Sequence, residues 1–296
     1  MSQFVEIARA KVNLTLRIVG RRSDGYHALA SLVAFADGPA DRLTFDGARQ
    51  RGLSVSGPFG GAIVGVNLLE RVLDLFADAV AAVGAHAPAF RLGHVHLEKN
   101  LPIAAGIGGG SADAGALLRA LRLAYPELAG SIDWNALALR VGADVPVCLL
   151  NRAAFMTGVG EHLAVLAGLP RLPVVLANPL IEVPADKTAR VFCALAAPPL
   201  PTDHTDLLPP QGLSQTALCA LIDKGNDLEQ AACAVVPVIA DILAELRVTS
   251  GCRVAAMSGA GPTCFGVFDD EAVADAAARR LRSRHRHWWI ATAVLG

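Results

Sequence analysis

A glycine-rich stretch in the first half of the chain holds the residues whose types and spacing most directly suggest chemistry. It contains Gly106, Gly108, Gly109 and Gly110, and Ser111 follows them directly. Backbone without Cβ atoms can adopt positive φ angles and can turn several N–H groups toward one point, an arrangement that binds anions. We therefore predict that this loop binds the phosphates of a nucleotide.

A helix is predicted to follow the glycines. Ala114, Leu117, Leu118 and Leu121 fall at the spacing of one helical face, and Ser111 would be the N-cap. Free N–H groups and the positive end of the helix dipole would favour an anion there. The loop lacks the lysine of a P-loop and the sixth-position glycine of a dinucleotide fingerprint. A flexible glycine connector is the structural alternative.

Lys11 is one of only four lysines among the 26 basic residues, and the others are arginines. Apolar and polar residues alternate over residues 12–18, which predicts a strand with one buried and one accessible face. Lys11 and Asn13 would share the accessible face. A lysine in an arginine-rich chain indicates a functional role for a compact ammonium at this position. A lysine that simply lies on a solvated strand face is the alternative.

Asp144 is the candidate acid for proton transfer. A helix is predicted over Trp134–Val141 with Gly142 as its C-cap. Pro146 favours an extended backbone at the residue before it. The apolar residues 147–150 after it predict a strand. An acid at the mouth of a strand is well placed to move a proton. A turn aspartate at the end of a helix is the alternative.

An aromatic pair follows a predicted turn near the N-terminus. Asp24 and Gly25 are typical turn residues, and Tyr26 and His27 come next. A flat ring beside hydrogen-bonding nitrogens can bind a base by stacking and by contacts to its edge. A Tyr26 that only covers the core is the alternative.

The elements around these residues predict two domains or one large one. The chain has 296 residues and is 53% hydrophobic, which is enough for a large core. The pattern loosens between residues 151 and 173, so we predict domains at 1–160 and 170–296. The second half is predicted to be α+β, with strands at 174–178, 253–257 and 288–295, a proline-rich loop at 197–210, a helical pair broken at Pro237, a second glycine turn at 258–263 and a helix at 271–284.

Composition excludes several classes of protein. The net charge of −1 gives no broad attraction to nucleic acid or a membrane. No run of eighteen apolar residues predicts a membrane span, and the first residues do not resemble a signal peptide, so we expect a cytoplasmic protein. The six cysteines lack metal or disulfide spacing and are predicted to be buried free thiols. His94 and His96 lack accompanying acids or cysteines and are predicted to be exposed strand residues.

Three stretches together resemble the motifs of the GHMP kinases: residues 10–14 with the turn at 24–27, the glycine loop at 102–114, and the turn at 257–262. The Lys-Val-Asn-Leu opening, the Asp-Gly-Tyr-His turn, the Gly-Ala-Asp-Val-Pro element and residues 226–229 are similar to the members that phosphorylate a CDP-linked methylerythritol. The resemblance implies an α+β, two-domain GHMP kinase fold. Its N-terminal domain would be ribosomal-protein-S5-domain-2-like and its C-terminal domain ferredoxin-like, with the active site in the cleft between them.

The resemblance also implies roles for individual residues. Asp144 would be the general base, and Lys11 beside it would keep that carboxylate ionised and offset the charge that develops during transfer. Asn67 and Lys99 match positions near the adenine of ATP. The ATP phosphates would lie on the loop formed by Pro102, Ile103, Ala104, Ala105, Gly106, Ile107, Gly108, Gly109, Gly110, Ser111 and Ala112.

On the acceptor side, the resemblance implies that a cytosine stacks on Tyr26 and meets His27, with Asn13 near the methylerythritol hydroxyls. Thr188 matches a further substrate residue, although the preceding residues 184–187 depart from the usual small, hydroxyl-rich pattern. Mg²⁺ is expected with ATP, because the β and γ oxygens must be bridged and neutralised. Ser111 is its expected protein contact.

The implied reaction is transfer of the γ-phosphoryl of ATP to the 2-hydroxyl of a CDP-linked methylerythritol, in isoprenoid precursor synthesis. Another GHMP kinase that acts on mevalonate or a sugar is one alternative, and a non-catalytic nucleotide-binding regulator of the same fold is another. No nucleic acid, membrane or obligatory protein partner is expected.

Overall fold

The computed structural model describes residues 3–63, 67–84, 91–184, 186–201 and 207–296. Within these residues the protein has an α+β architecture of eleven strands and nine α-helices. The strands are β1 (Gln3–Asn13), β2 (Arg17–Arg21), β3 (His27–Asp46), β4 (Gly52–Ser56), β5 (His94–Glu98), β6 (Ala154–Gly158), β7 (His162–Val165), β8 (Leu172–Asn178), β9 (Cys252–Met257), β10 (Cys264–Phe268) and β11 (Trp289–Leu295). The helices are α1 (Leu68–Ala82), α2 (Gly109–Ala124), α3 (Trp134–Val141), α4 (Val145–Leu150), α5 (Lys187–Leu195), α6 (Gln215–Asp223), α7 (Glu229–Val235), α8 (Val238–Val248) and α9 (Glu271–Arg284).

The chain divides into two compact units, each built from separate segments of sequence. The first unit comprises the described residues of 1–10, 40–103 and 108–151. The second comprises those of 11–39, 104–107 and 152–296. The long strands β1 and β3 contribute residues to both units. The domain limits expected from the sequence stay a prediction.

In the first unit, helices α1 to α4 accompany a small sheet. Strand β4 pairs parallel with β5, and β5 pairs antiparallel with the C-terminal part of β3. Asn67 caps α1 by accepting a hydrogen bond from the Leu69 amide at 3.0 Å. The predicted apolar face of α2 is fully buried, and it packs with α1 and α4. The buried stripe of α1 consists of Leu69, Val72, Leu73, Phe76 and Val80.

The start of α2 differs from the prediction. Gly108, not Ser111, is the residue before the helix, and its φ of 64° places it in the left-handed region. Ser111 lies inside the first turn. The helix begins with two glycines, which have a low helix propensity. Its start is therefore set by the residues that precede the helix.

The stretch after Asp144 is also different from the prediction. Residues 147–150 form part of the helix α4, not a strand, although α3 and its C-cap Gly142 are as predicted. A proline in the first turn of a helix is tolerated because its missing N–H is not needed there. A short apolar run such as this one does not distinguish a strand from a helix by its pattern.

The second unit is organised around a sheet with the order β3, β11, β8, β10, β9. Neighbouring strands in this order are antiparallel. Strands β2 and β6 pair with the first part of β3, and β7 pairs with β6. Helices α6, α8 and α9 pack on strands of the sheet, and α5 packs against α7. The three predicted strands of this half and the helix at 271–284 are confirmed, with end points shifted by no more than two residues, and the predicted helical pair is α7 and α8.

The first predicted strand is wrong in its bounds and in the exposure of one face. Strand β1 ends at Asn13, and β2 begins only at Arg17. Lys11 and Asn13 do share a face, but they are 2% and 3% exposed. Distant residues cover that face, because the Lys11 amide donates to the Ile107 carbonyl and the Asn13 amide to the Ser258 hydroxyl. A local pattern of alternation cannot reveal such cover.

No helix among the described residues has the length and apolar character needed to span a membrane.

Candidate active site

The backbone at Ala104–Ile107, which leads into the glycines, is held by its carbonyl groups. All four consecutive carbonyls accept a hydrogen bond, each from a different residue. The Ala104 carbonyl accepts from the Lys187 ammonium at 3.2 Å, and the Ala105 carbonyl from the Thr263 amide at 3.0 Å. The Gly106 carbonyl accepts from the Ser258 hydroxyl at 2.9 Å, and the Ile107 carbonyl from the Lys11 amide at 2.9 Å. The loop is therefore not a flexible connector.

The hydrogen bonds of these four carbonyls hold the backbone in place, and some of its amides remain available to bind a ligand. Among the described residues, the amides of Gly106 and Ile107 have no hydrogen-bond acceptor. Ala104, Gly106 and Gly108 have φ angles of 54°, 79° and 64°. Positive φ at alternate residues turns neighbouring N–H groups the same way, which creates a concavity that binds anions.

Gly106 is the position where the loop meets the second glycine turn. A Cβ atom there would lie 2.6 Å from the Gly261 carbonyl oxygen and 2.7 Å from that of Ser258. The positive φ and this close approach together require glycine. The turn at 258–263 therefore supports the loop from behind, as a structural element of the site.

The first turn of α2 follows the loop directly in the sequence. Gly109, Gly110 and Ser111 begin the helix, so their amides belong to its N-terminal end, where an anion is favoured. Ser111 is half-buried, and Ala112 is buried behind it. Within the lead-in, Pro102 is buried, while the side chain of Ile103 is 38% exposed.

Lys99 lies directly beneath this helix end. Its ammonium pairs with Asp41 and Asp113 at 2.6 Å each, and all three side chains are buried. A Cβ atom at Gly109 would lie 3.2 Å from that ammonium. Asp41 also accepts hydrogen bonds from the Asn100 and Leu101 amides, so this buried triad fixes the start of the loop. The sequence did not reveal it, because Asp41 is 58 residues away from Lys99.

The triad contains two carboxylates and one ammonium, so it has one acid in excess. Burial raises the pKa of Asp113 to about 8, with Asp41 adding to the rise and Lys99 opposing it. Burial disfavours the charged form of Lys99, but the two carboxylates raise its pKa overall. One oxygen of Asp113 is buried without a hydrogen-bond partner among the described residues. The raised pKa of Asp113 therefore favours its protonated form, in which the triad carries no net charge.

Asp144 is half-buried and immediately precedes α4 in the first unit. The C-terminal carbonyls of α4 are held by two arginines: Arg119 donates to the Cys148 carbonyl at 2.7 Å, and Arg9 to the Asn151 carbonyl at 2.6 Å. Asp144 is therefore mounted on a short helix that is fixed at its far end.

Lys11 and Asn13 form a buried polar chain in the second unit. The Lys11 ammonium donates to the Asn13 side-chain oxygen at 2.9 Å. Asn13 donates in turn to the Ser31 hydroxyl at 2.8 Å. This chain fixes the rotamers of both side chains. Lys11 and Asp144 belong to different units, and their pairing stays a prediction.

Tyr26 is 62% exposed, so it does not cover the core. Asp24 accepts a hydrogen bond from the Tyr26 amide and pairs with Arg22, which fixes the turn. The His27 ring lies 4.8 Å from the ring of Phe192 in α5. Burial, and Arg21 to a smaller degree, lower the pKa of His27, which favours the neutral imidazole.

The prediction missed two residues of α5. Phe192 provides an aromatic surface against His27, and Lys187 donates to the glycine loop. Thr188 is exposed in the first turn of the helix, four positions before Phe192 and so on the same face. That spacing is a signal that could have indicated Phe192. Of the predicted loop at 197–210, residues 202–206 lie outside the described residues.

No cluster of three or more histidine, cysteine or acidic side chains able to hold a metal occurs in the part of the chain that the structure describes. His96 is half-buried, and Ser54 and Ser56 contact its two ring nitrogens. All six cysteines are free, but only Cys148 and Cys264 are buried, so the predicted burial holds for two of them.

The comparisons with known proteins agree with this architecture. Residues 67–152 match the family described as GHMP kinases N terminal domain, and residues 214–287 match GHMP kinases C terminal. The chain therefore belongs to the GHMP kinase family, whose members are small-molecule phosphotransferases.

Two curated relatives and one solved structure carry the same kinase name. The chain is 46% identical to the 4-diphosphocytidyl-2-C-methyl-D-erythritol kinase of Methylobacterium radiotolerans, with 100% of both chains covered. It is also 46% identical to the enzyme of that name from Dinoroseobacter shibae, over 97% of this chain and 93% of the relative. A crystal structure of 4-(cytidine 5'-diphospho)-2C-methyl-D-erythritol kinase matches with a TM-score of 0.74 and 36% identity, over 99% of each chain.

Proposed function

We propose that the chain transfers the γ-phosphoryl of ATP to the 2-hydroxyl of 4-diphosphocytidyl-2-C-methyl-D-erythritol. The products would be the 2-phosphate and ADP, in non-mevalonate isoprenoid precursor synthesis in the cytoplasm. Full-length similarity to kinases of that name supports the proposal. The observation that carries it is the loop at Ala104–Ile107, whose carbonyls are all engaged and whose free amides suit a polyphosphate.

The donor would bind along the loop at 102–112. The amides of the loop and the N-terminal end of α2 would hold the β- and γ-phosphates. Asn67 and Lys99 would lie near the adenine, although the Lys99 ammonium is already occupied by two carboxylates. The half-buried Ser111 would be the protein contact of Mg²⁺, which would neutralise the charge of the phosphates.

Lys11 and Asp144 would act on the acceptor hydroxyl. Phosphoryl transfer depends mainly on positioning and charge neutralisation, and a positioned base typically adds about 10²- to 10⁴-fold. Asp144 would accept the proton from the hydroxyl. The Lys11 ammonium would hold the attacking oxygen and offset its developing negative charge. Its bond to the Asn13 side chain already fixes its direction.

The cytidine would be recognised by aromatic side chains. The exposed Tyr26 ring is free to stack on a base, and His27 with Phe192 provides a second aromatic surface. A neutral His27 can both donate and accept a hydrogen bond at the base edge. Asn13 would contact the methylerythritol hydroxyls, and Thr188 is a further substrate contact.

A coupled ADP-release assay tests this proposal directly. The purified chain is given ATP and Mg²⁺ with 4-diphosphocytidyl-2-C-methyl-D-erythritol, mevalonate or galactose in parallel. We expect turnover with the cytidyl compound alone. Turnover with mevalonate or galactose instead would indicate another GHMP kinase activity, and ATP binding without turnover on any acceptor would indicate a non-catalytic regulator.

A further inference from the structure

Lys187, the first residue of α5, is a buried lysine in an unusual environment. It is 4% exposed, and its ammonium donates to two backbone carbonyls, those of Ala104 and Gly261. Among the described residues it has no carboxylate partner. In contrast, Lys99 pairs with two acids, and Lys224 is exposed to solvent.

A buried ammonium without an acid is costly, because its charge is removed from water. Carbonyl dipoles compensate for part of that cost, and burial lowers the pKa of Lys187 to about 8. A structural link between two carbonyls could be made by a neutral donor at lower cost. We therefore look for a source of negative charge near Ala104 and Gly261 that would favour an ammonium at this position.

The two carbonyls belong to the two segments that build the phosphate loop. Ala104 is the first of the four residues whose carbonyls are engaged, and Gly261 contacts Gly106 from behind. The C=O of one residue and the N–H of the next point in opposite directions across a trans peptide, so holding the Ala104 carbonyl on one side directs the Ala105 amide to the other. A polyphosphate on the loop amides would place negative charge across a single layer of backbone from the ammonium.

We propose that Lys187 is a positioning residue for nucleotide binding, whose ammonium orients the loop through the Ala104 and Gly261 carbonyls and is itself stabilised by the polyphosphate that the loop binds. The inference rests on the proposed function, because it requires that this loop binds ATP and ADP. It implies a linkage: nucleotide binding raises the proton affinity of Lys187.

The other charged groups near α5 do not account for such a linkage. On the helix itself, Asp186 and Arg190 pair with each other and are exposed. On α7, which packs against α5, Glu229 pairs with Arg247. Among the described residues, Cys233 on α7 and His27, which contacts Phe192, also lie near α5; burial raises the pKa of the first and lowers that of the second. Cys193 on α5 is exposed, and Lys11 on β1 donates its amide to the loop at Ile107. Residues 104–107 and 258–263 have no ionisable side chain.

Calorimetry with ADP tests the inference. ADP binding to the full chain is measured at pH 8.5 in two buffers that differ in ionisation enthalpy, and the difference in heat gives the number of protons taken up. We expect the wild-type chain and the control Lys224→Met to take up a fraction of a proton and to bind ADP more weakly as the pH rises from 7 to 9. Lys187→Met should take up none.

The affinity of the variants adds a second measurement. Hydrogen bonds from charged groups contribute enough that Lys187→Met should weaken ADP binding at pH 7 by about tenfold or more. Its affinity should not change further from pH 7 to pH 9, and Lys187→Arg should restore part of the loss. A purely structural lysine would lower the melting temperature of Lys187→Met without giving the wild-type chain any proton uptake.

If Lys187→Met does not fold, the wild-type chain still tests the inference, with Asp113→Asn as a further control, because the pKa of Asp113 is also about 8 and the uptake should persist in that variant. Binding of ADP at pH 8.5 without proton uptake would overturn the inference and leave the proposed function intact. An absence of ADP binding at every pH would overturn the proposed function and the inference together.

Discussion

Gly115 of α2 packs directly on the backbone of Cys148 in α4. A Cβ atom at residue 115 would lie 2.6 Å from the Cys148 carbonyl carbon and 2.8 Å from its oxygen. Atoms that are not bonded do not come this close, so the two helices can meet only at a glycine. One helix begins at the phosphate loop and the other follows Asp144, and the contact therefore sets the distance between these two parts of the first unit.

We predict that Gly115→Ala displaces α4 and lowers kcat by about 10- to 100-fold, because small misplacements of a catalytic group are costly. Overpacking should also lower the free energy of unfolding by about 1–3 kcal/mol. The ADP-release assay and urea unfolding measure the two effects. Gly130→Ala is the control, because a Cβ atom there meets nothing within 4 Å. A Gly115→Ala enzyme with normal kcat would show that this contact does not position the base.

Asp144→Asn should lower kcat by about 10²- to 10⁴-fold and leave ATP affinity nearly unchanged. The amide keeps the size of the side chain but cannot accept the proton of the acceptor hydroxyl. Steady-state kinetics and calorimetry with ATP measure the two quantities. Asp223→Asn, an exposed aspartate at the end of α6, is the control. Near-normal turnover in Asp144→Asn would exclude it as the base.

Tyr26→Ala should raise the KM for the cytidyl substrate by about tenfold or more, because stacking on an aromatic ring contributes about 1–3 kcal/mol per base. The KM for ATP should not change. The ring is 62% exposed, so its loss should have little effect on the melting temperature. Val248→Ala, which removes an apolar group that is 75% exposed, is the control. Equal increases in both KM values would point to a general effect on the fold.

The buried triad predicts how stability depends on pH. The folded pKa of Asp113, about 8, lies above its usual value of 3.8, so folding takes up a proton between these values. The contribution of Asp113 to stability is complete below pH 3.8 and is lost as the pH rises through about 8. This group alone lowers the free energy of unfolding by up to about 1.4 kcal/mol per pH unit in that range.

Asp113→Asn should remove that slope while it keeps the pair between Lys99 and Asp41. Urea unfolding at several pH values between about 5 and 8 measures it, and the variant should gain stability relative to the wild-type chain as the pH rises. Asp78→Asn, an exposed aspartate on α1, is the control and should keep the wild-type slope. The same slope in Asp113→Asn would mean that Asp113 is ionised throughout this range.

Elements whose ends are marked by local signals could be predicted from the sequence. Helix α9 begins and ends where predicted, because Asp270 caps it and arginines occupy its last turn. The glycine loop was recognised from its composition alone. Helix α4 was not, because Pro146 and four apolar residues fit a strand or a first helical turn equally well.

The parts of the site that the sequence did not predict depend on contacts between distant residues. Lys187 meets the loop across 83 positions of sequence, and Asn13 meets Ser258 across 245. The sequence around Lys187 and around Asn13 contains no local pattern that predicts these partners. The burial of Lys11 has the same origin, since its strand is covered by the Ile107 backbone.

The engaged carbonyls of Ala104–Ile107 also bear on whether Mg²⁺ can bind to the loop before the nucleotide. A peptide group at Ala104–Ile107 cannot reverse without breaking a bond, so this part of the loop presents N–H donors, and the Ser111 hydroxyl is the one protein oxygen that we propose for the metal. Magnesium requires oxygen ligands. We therefore expect the metal to arrive already complexed with the nucleotide rather than to load the protein beforehand.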